Sequence, residues 1–91
     1  MEKIHVFGVD LATYNATMYE EVVNKYKEYE VSGGFFYDGM SDVQFEFPYD
    51  KKELAVTLYG LLESLVHEEL GEYVSIYALD EEGIQIDTDE V

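Results

Sequence analysis

Carboxylates are almost the only side chains in this chain that could do chemistry. The sequence has 21 aspartates and glutamates against five lysines and no arginine, which gives a formal charge of −16. Paired acids such as Glu20-Glu21 and Glu68-Glu69 are adjacent in sequence, so on a helix they would point about 100° apart. That separation makes each pair a poor acid and base couple, and the carboxylates have to be explained in another way.

Other catalytic or ligand-binding motifs are missing. His5 and His67 have no partner residue close in sequence, and there is no cysteine to act as a nucleophile or a metal ligand. Gly33-Gly34 is followed by aromatic residues rather than the Lys-Ser or Lys-Thr of a phosphate-binding loop. The acidic segment 80–90 lacks the Asp-x-Asp-x-Asp-Gly spacing of a calcium-binding loop. We therefore predict no enzymatic activity, no metal site and no cofactor.

The distribution of charge points to a partner protein. From Glu53 to Val91 the chain contains no lysine or arginine at all. Like charges held close together oppose folding, so a chain that folds despite them is expected to use the resulting field. A positively charged protein is the expected partner. Direct binding of nucleic acid is not expected, because no basic patch is present to neutralise phosphates.

Composition favours a folded domain over a disordered acidic chain. Hydrophobic residues make up 47% of the sequence and aromatic residues 15%, which is enough to build a core. The length predicts one domain over residues 1–86, followed by an acidic tail at 87–91. No apolar run approaches the roughly 20 residues needed to span a membrane, and residues 1–15 do not resemble a signal peptide. These observations predict a cytoplasmic protein, in the host cytoplasm if the gene is viral.

Hydrophobic periods predict the element order β-α-β-β-α-β. Strands are predicted at 3–9, 30–37, 43–47 and 73–79, with a short fifth strand at 84–86. One helix is predicted at 14–29, and a second follows Pro48 and ends at Gly71. The leucines predicted to trace the buried face of the second helix are Leu54, Leu58, Leu61, Leu62, Leu65 and Leu70. This order predicts an α+β, ferredoxin-like βαββαβ sandwich, with an antiparallel sheet, two helices on one face and a short C-terminal extension.

The predicted topology would gather acids at one end of the molecule, here called the upper pole, and all five lysines at the other end. We predict that partner-binding residues at the upper pole are Asp10, Asp38, Asp42, Glu68, Glu69, Glu72, Asp87, Asp89 and Glu90. Neighbouring carboxylates about 5–7 Å apart recur on a scale comparable with DNA phosphates, which carry one charge per about 3.4 Å of axis on each strand. Such an array could occupy a groove built for a nucleic-acid backbone. Crowding at the pole also predicts raised carboxyl pKa values.

A second candidate surface is the sheet face that the helices leave uncovered. Its predicted members are Phe7, Phe36, Tyr73, Tyr77 and Leu79. A contiguous apolar patch is uncommon on a monomer. Two copies could pack face to face as a homodimer, the face could meet the partner, or residues 80–91 could fold across it.

The chain resembles the small phage-encoded inhibitors of bacterial defence, such as anti-CRISPR proteins and restriction inhibitors. It shares with them a small size, a high negative charge, abundant tyrosine and the lack of a catalytic set. The resemblance lies in composition over the whole chain, and no motif carries residue roles with it. It implies a DNA mimic that blocks the basic nucleic-acid-binding cleft of a CRISPR effector or restriction enzyme. The alternative is an acidic, dimeric, ferredoxin-like interaction module of cellular origin that binds a basic protein or a small ligand. Genomic context would discriminate between the two.

Overall fold

Five strands and two helices make up the described part of the chain. A computed structural model describes residues 4–35 and 39–86, with the backbone alone at positions 34 and 35. The elements are β1 Val6–Thr13, α1 Ala16–Lys25, β2 Glu30–Phe35, β3 Ser41–Pro48, α2 Lys52–Glu63, β4 Tyr73–Leu79 and β5 Gln85–Ile86. Short 3-10 turns lie at Lys27–Tyr29, Tyr49–Lys51 and Glu68–Leu70. The predicted α+β class is confirmed.

The strands form one open sheet in the order β2-β3-β1-β4-β5, and every neighbouring pair is antiparallel. A turn after β4 brings Ile86 of β5 opposite Ala78 at the edge of the sheet. Of the three options for the uncovered face, the one in which residues 80–91 fold across it does not hold for 80–86: β5 forms within the predicted span 84–86 and extends the sheet at its edge. The acidic tail at 87–91 lies outside the described residues.

Both helices pack on the same face of the sheet. The register places Phe7 of β1 between Phe47 of β3 and Ala78 of β4. Because side chains alternate along a strand, every second residue of these three strands then faces the helices. The buried core contains Phe7, Val9, Leu11, Val43, Phe45, Phe47 and Ala78 from the sheet, with Tyr19, Val22, Tyr26, Ala55, Leu58 and Leu62 from α1, α2 and the residue after α1. No helix of the described residues covers the other sheet face.

β1 begins and ends later than its predicted bounds of 3–9. The apolar alternation continues through Val9 and Leu11 to Thr13, all three of which are buried on the helix side. Asp10 resembled the start of a loop because aspartate is depleted in strands. It instead occupies the opposite face of a continuous strand, which moves it from the upper pole to the middle of the sheet.

Local capping fixes the start of α1, and a glycine ends the 3-10 turn before β4. Asn15 caps α1, its side-chain oxygen accepting a hydrogen bond of 3.0 Å from the backbone N–H of Met18. The second helix was predicted to end at Gly71, but α2 already ends at Glu63. Gly71 instead ends the 3-10 turn Glu68–Leu70, in the left-handed conformation with φ of +90°. Of the six leucines predicted to face the core, only Leu58 and Leu62 are buried.

Candidate functional site

The uncovered sheet face is polar at its centre and acidic. Antiparallel register places Gly8, Asp10 and Ala12 of β1 beside residues 42–46 of β3 on one side and residues 73–77 of β4 on the other. The side chains that point away from the helices on these strands are Asp42, Gln44 and Glu46 of β3 and Tyr73, Ser75, Tyr77 and Leu79 of β4. We call Asp10, Asp42 and Glu46 the acidic face.

Tyr77 lies across the middle of this face. It is paired with Gly8, and a methyl group added at position 8 would overlap the tyrosine ring. The glycine therefore lets the side chain of Tyr77 leave β4, cross over β1 and reach β3. A glycine inside a strand is typical of such a close approach. The ring forms an aromatic platform, with its inner surface against the backbone of β1.

Two hydrogen bonds fix the end of this platform. The hydroxyl of Tyr77 donates to Oδ1 of Asp10 at 3.1 Å, and Nε2 of Gln44 donates to the same hydroxyl. Oγ of Ser32 on the outer strand in turn donates to Oε1 of Gln44 at 3.3 Å. The network thus links β2, β3, β1 and β4 through side chains. Oδ2 of Asp10 accepts no hydrogen bond from the described residues.

The environment of this network opposes ionisation. Partial burial raises the pKa of the Asp10 carboxyl; the hydrogen bond from Tyr77 lowers it and the nearby Asp42 charge raises it, and the net effect is upward. Burial, followed by the Asp10 charge, raises the pKa of Tyr77 to about 12, with Glu46 a smaller contributor. Tyr77 is therefore a neutral hydrogen-bond donor at neutral pH, in the middle of a negative field.

No described lysine compensates the acidic face. The described lysines lie at the end of α1 (Lys25), in the 3-10 turns Lys27–Tyr29 and Tyr49–Lys51 (Lys27 and Lys51), and at the start of α2 (Lys52). Among residues 4–35 and 39–86, no lysine nitrogen is within 4.0 Å of a carboxylate. Asp10 is diagonal to both Asp42 and Glu46 across the β1–β3 pair. Diagonal neighbours in an antiparallel pair are about 7–8 Å apart, so the three carboxylates form an open zigzag rather than a metal-binding cage.

The upper pole is partly as predicted. Glu68 and Glu69 are exposed in the 3-10 turn before β4, and Oε1 of Glu69 lies 3.4 Å from Nδ1 of His67. Asp42, the second residue of β3, lies at the same end of the sheet and is half-buried. These three acids are available to a partner. Asp38, Asp87, Asp89 and Glu90 lie outside the described residues.

Glu72 does not belong to the binding surface. Its side chain is 5% exposed and accepts hydrogen bonds from Oγ1 of Thr13 at 2.8 Å, from the N–H of Tyr14 at 2.7 Å and from the N–H of His67 at 2.8 Å. Burial alone would raise its pKa, but the hydrogen bonds outweigh burial and the pKa lies below its usual value. The predictions that Glu72 is a partner contact and that crowding raises its pKa are therefore wrong. It joins the end of β1 to the segment before β4.

Phe7 is also misplaced by the prediction. It is 2% exposed in the core, beside Phe47, and its ring stacks on Tyr49 at a centroid distance of 6.1 Å. Both faces of β1 looked apolar within 3–9, so alternation could not choose between them. Tyr73, Tyr77 and Leu79 do lie on the uncovered face, as predicted, and Tyr73 is 49% exposed. Phe36 lies outside the described residues.

The residues that position Tyr77 and extend the acidic face were not singled out from the sequence. Gln44 and Glu46 alternate with buried Val43, Phe45 and Phe47, so period 2 already marked them as the polar side of their strand. Gly8 inside a strand was a signal for close backbone approach. The link from Tyr77 to Asp10 spans 67 positions in sequence and left no local signal.

Comparisons with protein-family models, with curated proteins and with solved structures found no match to this chain. Within the described ranges, no helix is long and apolar enough to cross a membrane. The same residues contain no group of three or more histidines, aspartates or glutamates arranged to hold a metal ion. Function has to be inferred from the chemistry of the surface itself.

Proposed function

We propose that this chain is an acidic inhibitor that binds the basic nucleic-acid-binding cleft of another protein and so excludes the nucleic acid. The observation that carries the proposal is the acidic face, where Asp10, Asp42 and Glu46 stand on one open surface with no described lysine among them. Glu68 and Glu69 extend the negative field toward the upper pole. By its resemblance to small phage-encoded inhibitors, the target would be a host defence protein such as a CRISPR effector or a restriction enzyme.

The spacing of the carboxylates supports mimicry of a phosphate backbone. Diagonal positions about 7–8 Å apart in the sheet offer a basic cleft separate negative charges on a repeat comparable in scale with DNA. The face is broad and rests on a sheet, so it needs no large rearrangement to present these charges. Long-range attraction between opposite fields should also make association fast.

We also propose that the fold is ferredoxin-like. The order β2-β3-β1-β4, with all neighbours antiparallel and two crossover helices on one face, supports this plan. β5 would then be the short extension that follows the last strand of the plan. Because this architecture hosts many functions, it does not by itself favour inhibition over another role.

The acidic face argues against the homodimeric alternative in its sheet-to-sheet form. Such a dimer would oppose Asp10, Asp42 and Glu46 of one copy to the same residues of the other. Like charges brought together at an interface oppose association by several kcal/mol, which is enough to suppress a wrong partner. A basic partner would instead relieve the repulsion.

Competition with DNA tests the proposal. The chain is immobilised and exposed to a nuclease-treated bacterial lysate, and the retained proteins are challenged with an excess of duplex DNA. We expect DNA to release the partner, and we expect the purified partner to lose DNA binding when the chain is added in solution. A partner that stays on the column in excess DNA, and that binds DNA equally well with the chain present, would overturn the proposal.

A further inference from the structure

The centre of the acidic face combines an aromatic platform with flanking carboxylates. The ring of Tyr77 crosses Gly8, and its hydroxyl is fixed by Asp10 and Gln44. Glu46 is directly opposite Gly8 in the register. The Tyr77 ring therefore lies near two carboxylates, that of Asp10 on β1 and that of Glu46 on β3. Tyr77 itself is half-buried, so part of its side chain stays open to a partner.

We propose that this platform is a seat for an arginine side chain of the partner protein, with the guanidinium stacked on Tyr77 and its N–H groups directed at Asp10 and Glu46. The inference rests on the proposed function, since it specifies what part of a basic cleft the sheet face would take. It goes beyond that function because it specifies one residue type of the partner, arginine, and one contact, stacking on Tyr77. The occupant is expected to be a cation, because the uncovered face carries carboxylates and no described lysine neutralises them.

Three chemical features favour arginine over lysine at this seat. A guanidinium is planar and stacks on an aromatic ring, whereas an ammonium is a compact and strongly hydrated charge. Its five N–H donors can reach carboxylates on two sides of the ring at once. Oδ2 of Asp10, which accepts no hydrogen bond from the described residues, is a ready acceptor. Cation–π contact within about 6 Å of the ring centroid would add to these hydrogen bonds.

Gly8 provides a way to test the platform without changing charge. In Gly8→Ala, the added methyl group would overlap the Tyr77 ring and displace it from β1. Gly60→Ala is the matched control, because a methyl group added there in α2 meets nothing within 4 Å. Tyr77→Leu removes the ring, and Tyr77→Phe keeps the ring but removes the hydroxyl. All four variants keep the net charge of the chain.

The probes are nona-arginine and nona-lysine peptides of equal charge, titrated into the full chain at about 0.01 M ionic strength, where the Debye length is about 30 Å. Affinity is measured by calorimetry, and the site is located by amide chemical-shift changes. We expect nona-arginine to bind more tightly than nona-lysine, with the largest shifts at Gly8, Asp10, Gln44 and Tyr77. Gly8→Ala and Tyr77→Leu should each weaken nona-arginine by about fivefold or more, while Gly60→Ala and Tyr77→Phe should change affinity less than about twofold.

Several outcomes would show that the Tyr77 platform is not a seat for arginine. In calorimetry these are equal affinity for the two peptides, no binding of nona-arginine, or a Tyr77→Leu variant that binds nona-arginine as tightly as Tyr77→Phe does. In the amide spectrum the contradicting outcome is chemical-shift changes centred on residues 67–72 and not on the sheet face. If Gly8→Ala fails to give a dispersed amide spectrum, the Tyr77→Leu and Tyr77→Phe pair decides alone. None of these outcomes depends on DNA competition, so loss of the seat would leave the proposed inhibition standing, and loss of inhibition would be seen separately.

Discussion

At the scale of single residues, the carboxylates of this chain have two different environments. Glu72 is buried and accepts three hydrogen bonds, which together hold its pKa below the usual value. Asp10 is half-buried and accepts one hydrogen bond from Tyr77, while burial and the Asp42 charge raise its pKa. The first carboxylate stabilises the fold in its ionised form, and the second opposes folding in that form.

Glu72→Gln should therefore destabilise the protein. The amide keeps an acceptor oxygen but also turns an NH₂ group toward backbone N–H donors, so we expect a loss of about 1–3 kcal/mol in the free energy of unfolding at neutral pH. Because the folded pKa of Glu72 is depressed, its contribution is present above its unfolded pKa of about 4.3 and is lost as pH falls through the folded value. Urea unfolding at several pH values should show the variant and the wild type converging in acid.

Glu69→Gln is the control for this change. It makes the same chemical replacement three residues away on an exposed side chain, and it should leave the melting temperature almost unchanged. If the two variants unfold at the same urea concentration, Glu72 does not have the role that its hydrogen bonds indicate.

Asp10→Asn should instead stabilise the protein at neutral pH. The asparagine oxygen can still accept from Tyr77, so the hydrogen bond survives while the charge is removed. A raised folded pKa means that ionised Asp10 costs stability at neutral pH, and that this cost disappears as pH falls through the folded value. The variant should melt above the wild type at about pH 7, and the difference should shrink toward about pH 3.

Asp50→Asn removes one charge from an exposed site near the lysines and serves as the comparison for Asp10→Asn. It should raise the melting temperature less. A lower melting temperature for Asp10→Asn at neutral pH would mean that the ionised carboxylate stabilises the sheet face, which is the reverse of what its raised pKa indicates.

At the scale of elements, α2 shows why a hydrophobic pattern does not define one buried face. Leu58 is 0% exposed, whereas Leu61 is 50% exposed, although both belong to the same run of leucines. The helix rests on β4, β1 and β3 along the line of Ala55, Leu58 and Leu62. Leu61 lies beside that line and leaves half of its surface in water.

Leu58→Ala and Leu61→Ala test this assignment as a matched pair. Deleting a fully buried leucine side chain leaves a cavity, so Leu58→Ala should cost about 2–5 kcal/mol in the free energy of unfolding. Leu61→Ala should change it by about 0.5 kcal/mol or less, since the side chain is largely in water already. Similar losses in guanidinium unfolding would mean that the flank is covered in solution.

The order and type of the elements followed from sequence, but their edges and faces did not all follow. The alternation of apolar and polar residues in β3 matches its structure: Val43, Phe45 and Phe47 are buried, whereas Gln44 and Glu46 are on the other face. β1 had apolar residues on both sides over the predicted span, so Phe7 was assigned to the wrong face. The role of Glu72 depends on contacts with Thr13 and Tyr14, more than 50 positions away, which no local pattern contains.

At the scale of the whole molecule, the segregation of charge is the dominant feature. A net charge of −16 on 91 residues is distributed so that the described lysines are near the start of α2 and the end of α1. The sequence predicted this separation from topology alone. The partner-binding acids were predicted at the upper pole, and because Asp10 lies within β1, the proposed binding surface also includes the uncovered sheet face.

Salt should stabilise such a molecule. Raising ionic strength from about 0.01 M to about 1 M shortens the Debye length from about 30 Å to about 3 Å and screens repulsion among the carboxylates. We expect the melting temperature to rise by about 5 °C, which corresponds to roughly 1 kcal/mol in a domain of this size. A Glu68→Gln, Glu69→Gln variant should show a smaller rise, and a melting temperature that falls with salt in calorimetry would contradict a structure dominated by self-repulsion.

Displacement of labelled duplex DNA from the captured partner tests whether the acidic face excludes nucleic acid from a basic cleft. Asp42→Lys with Glu46→Lys reverses two charges on the acidic face, and Glu28→Lys with Asp50→Lys reverses two exposed charges near the lysines. Both pairs change net charge by the same amount. We predict that the first pair raises the concentration needed for half-displacement by about tenfold or more and the second by about threefold or less. Equal effects of the two pairs, or displacement by the first pair at the wild-type concentration, would mean that the acidic face is not the surface that excludes nucleic acid.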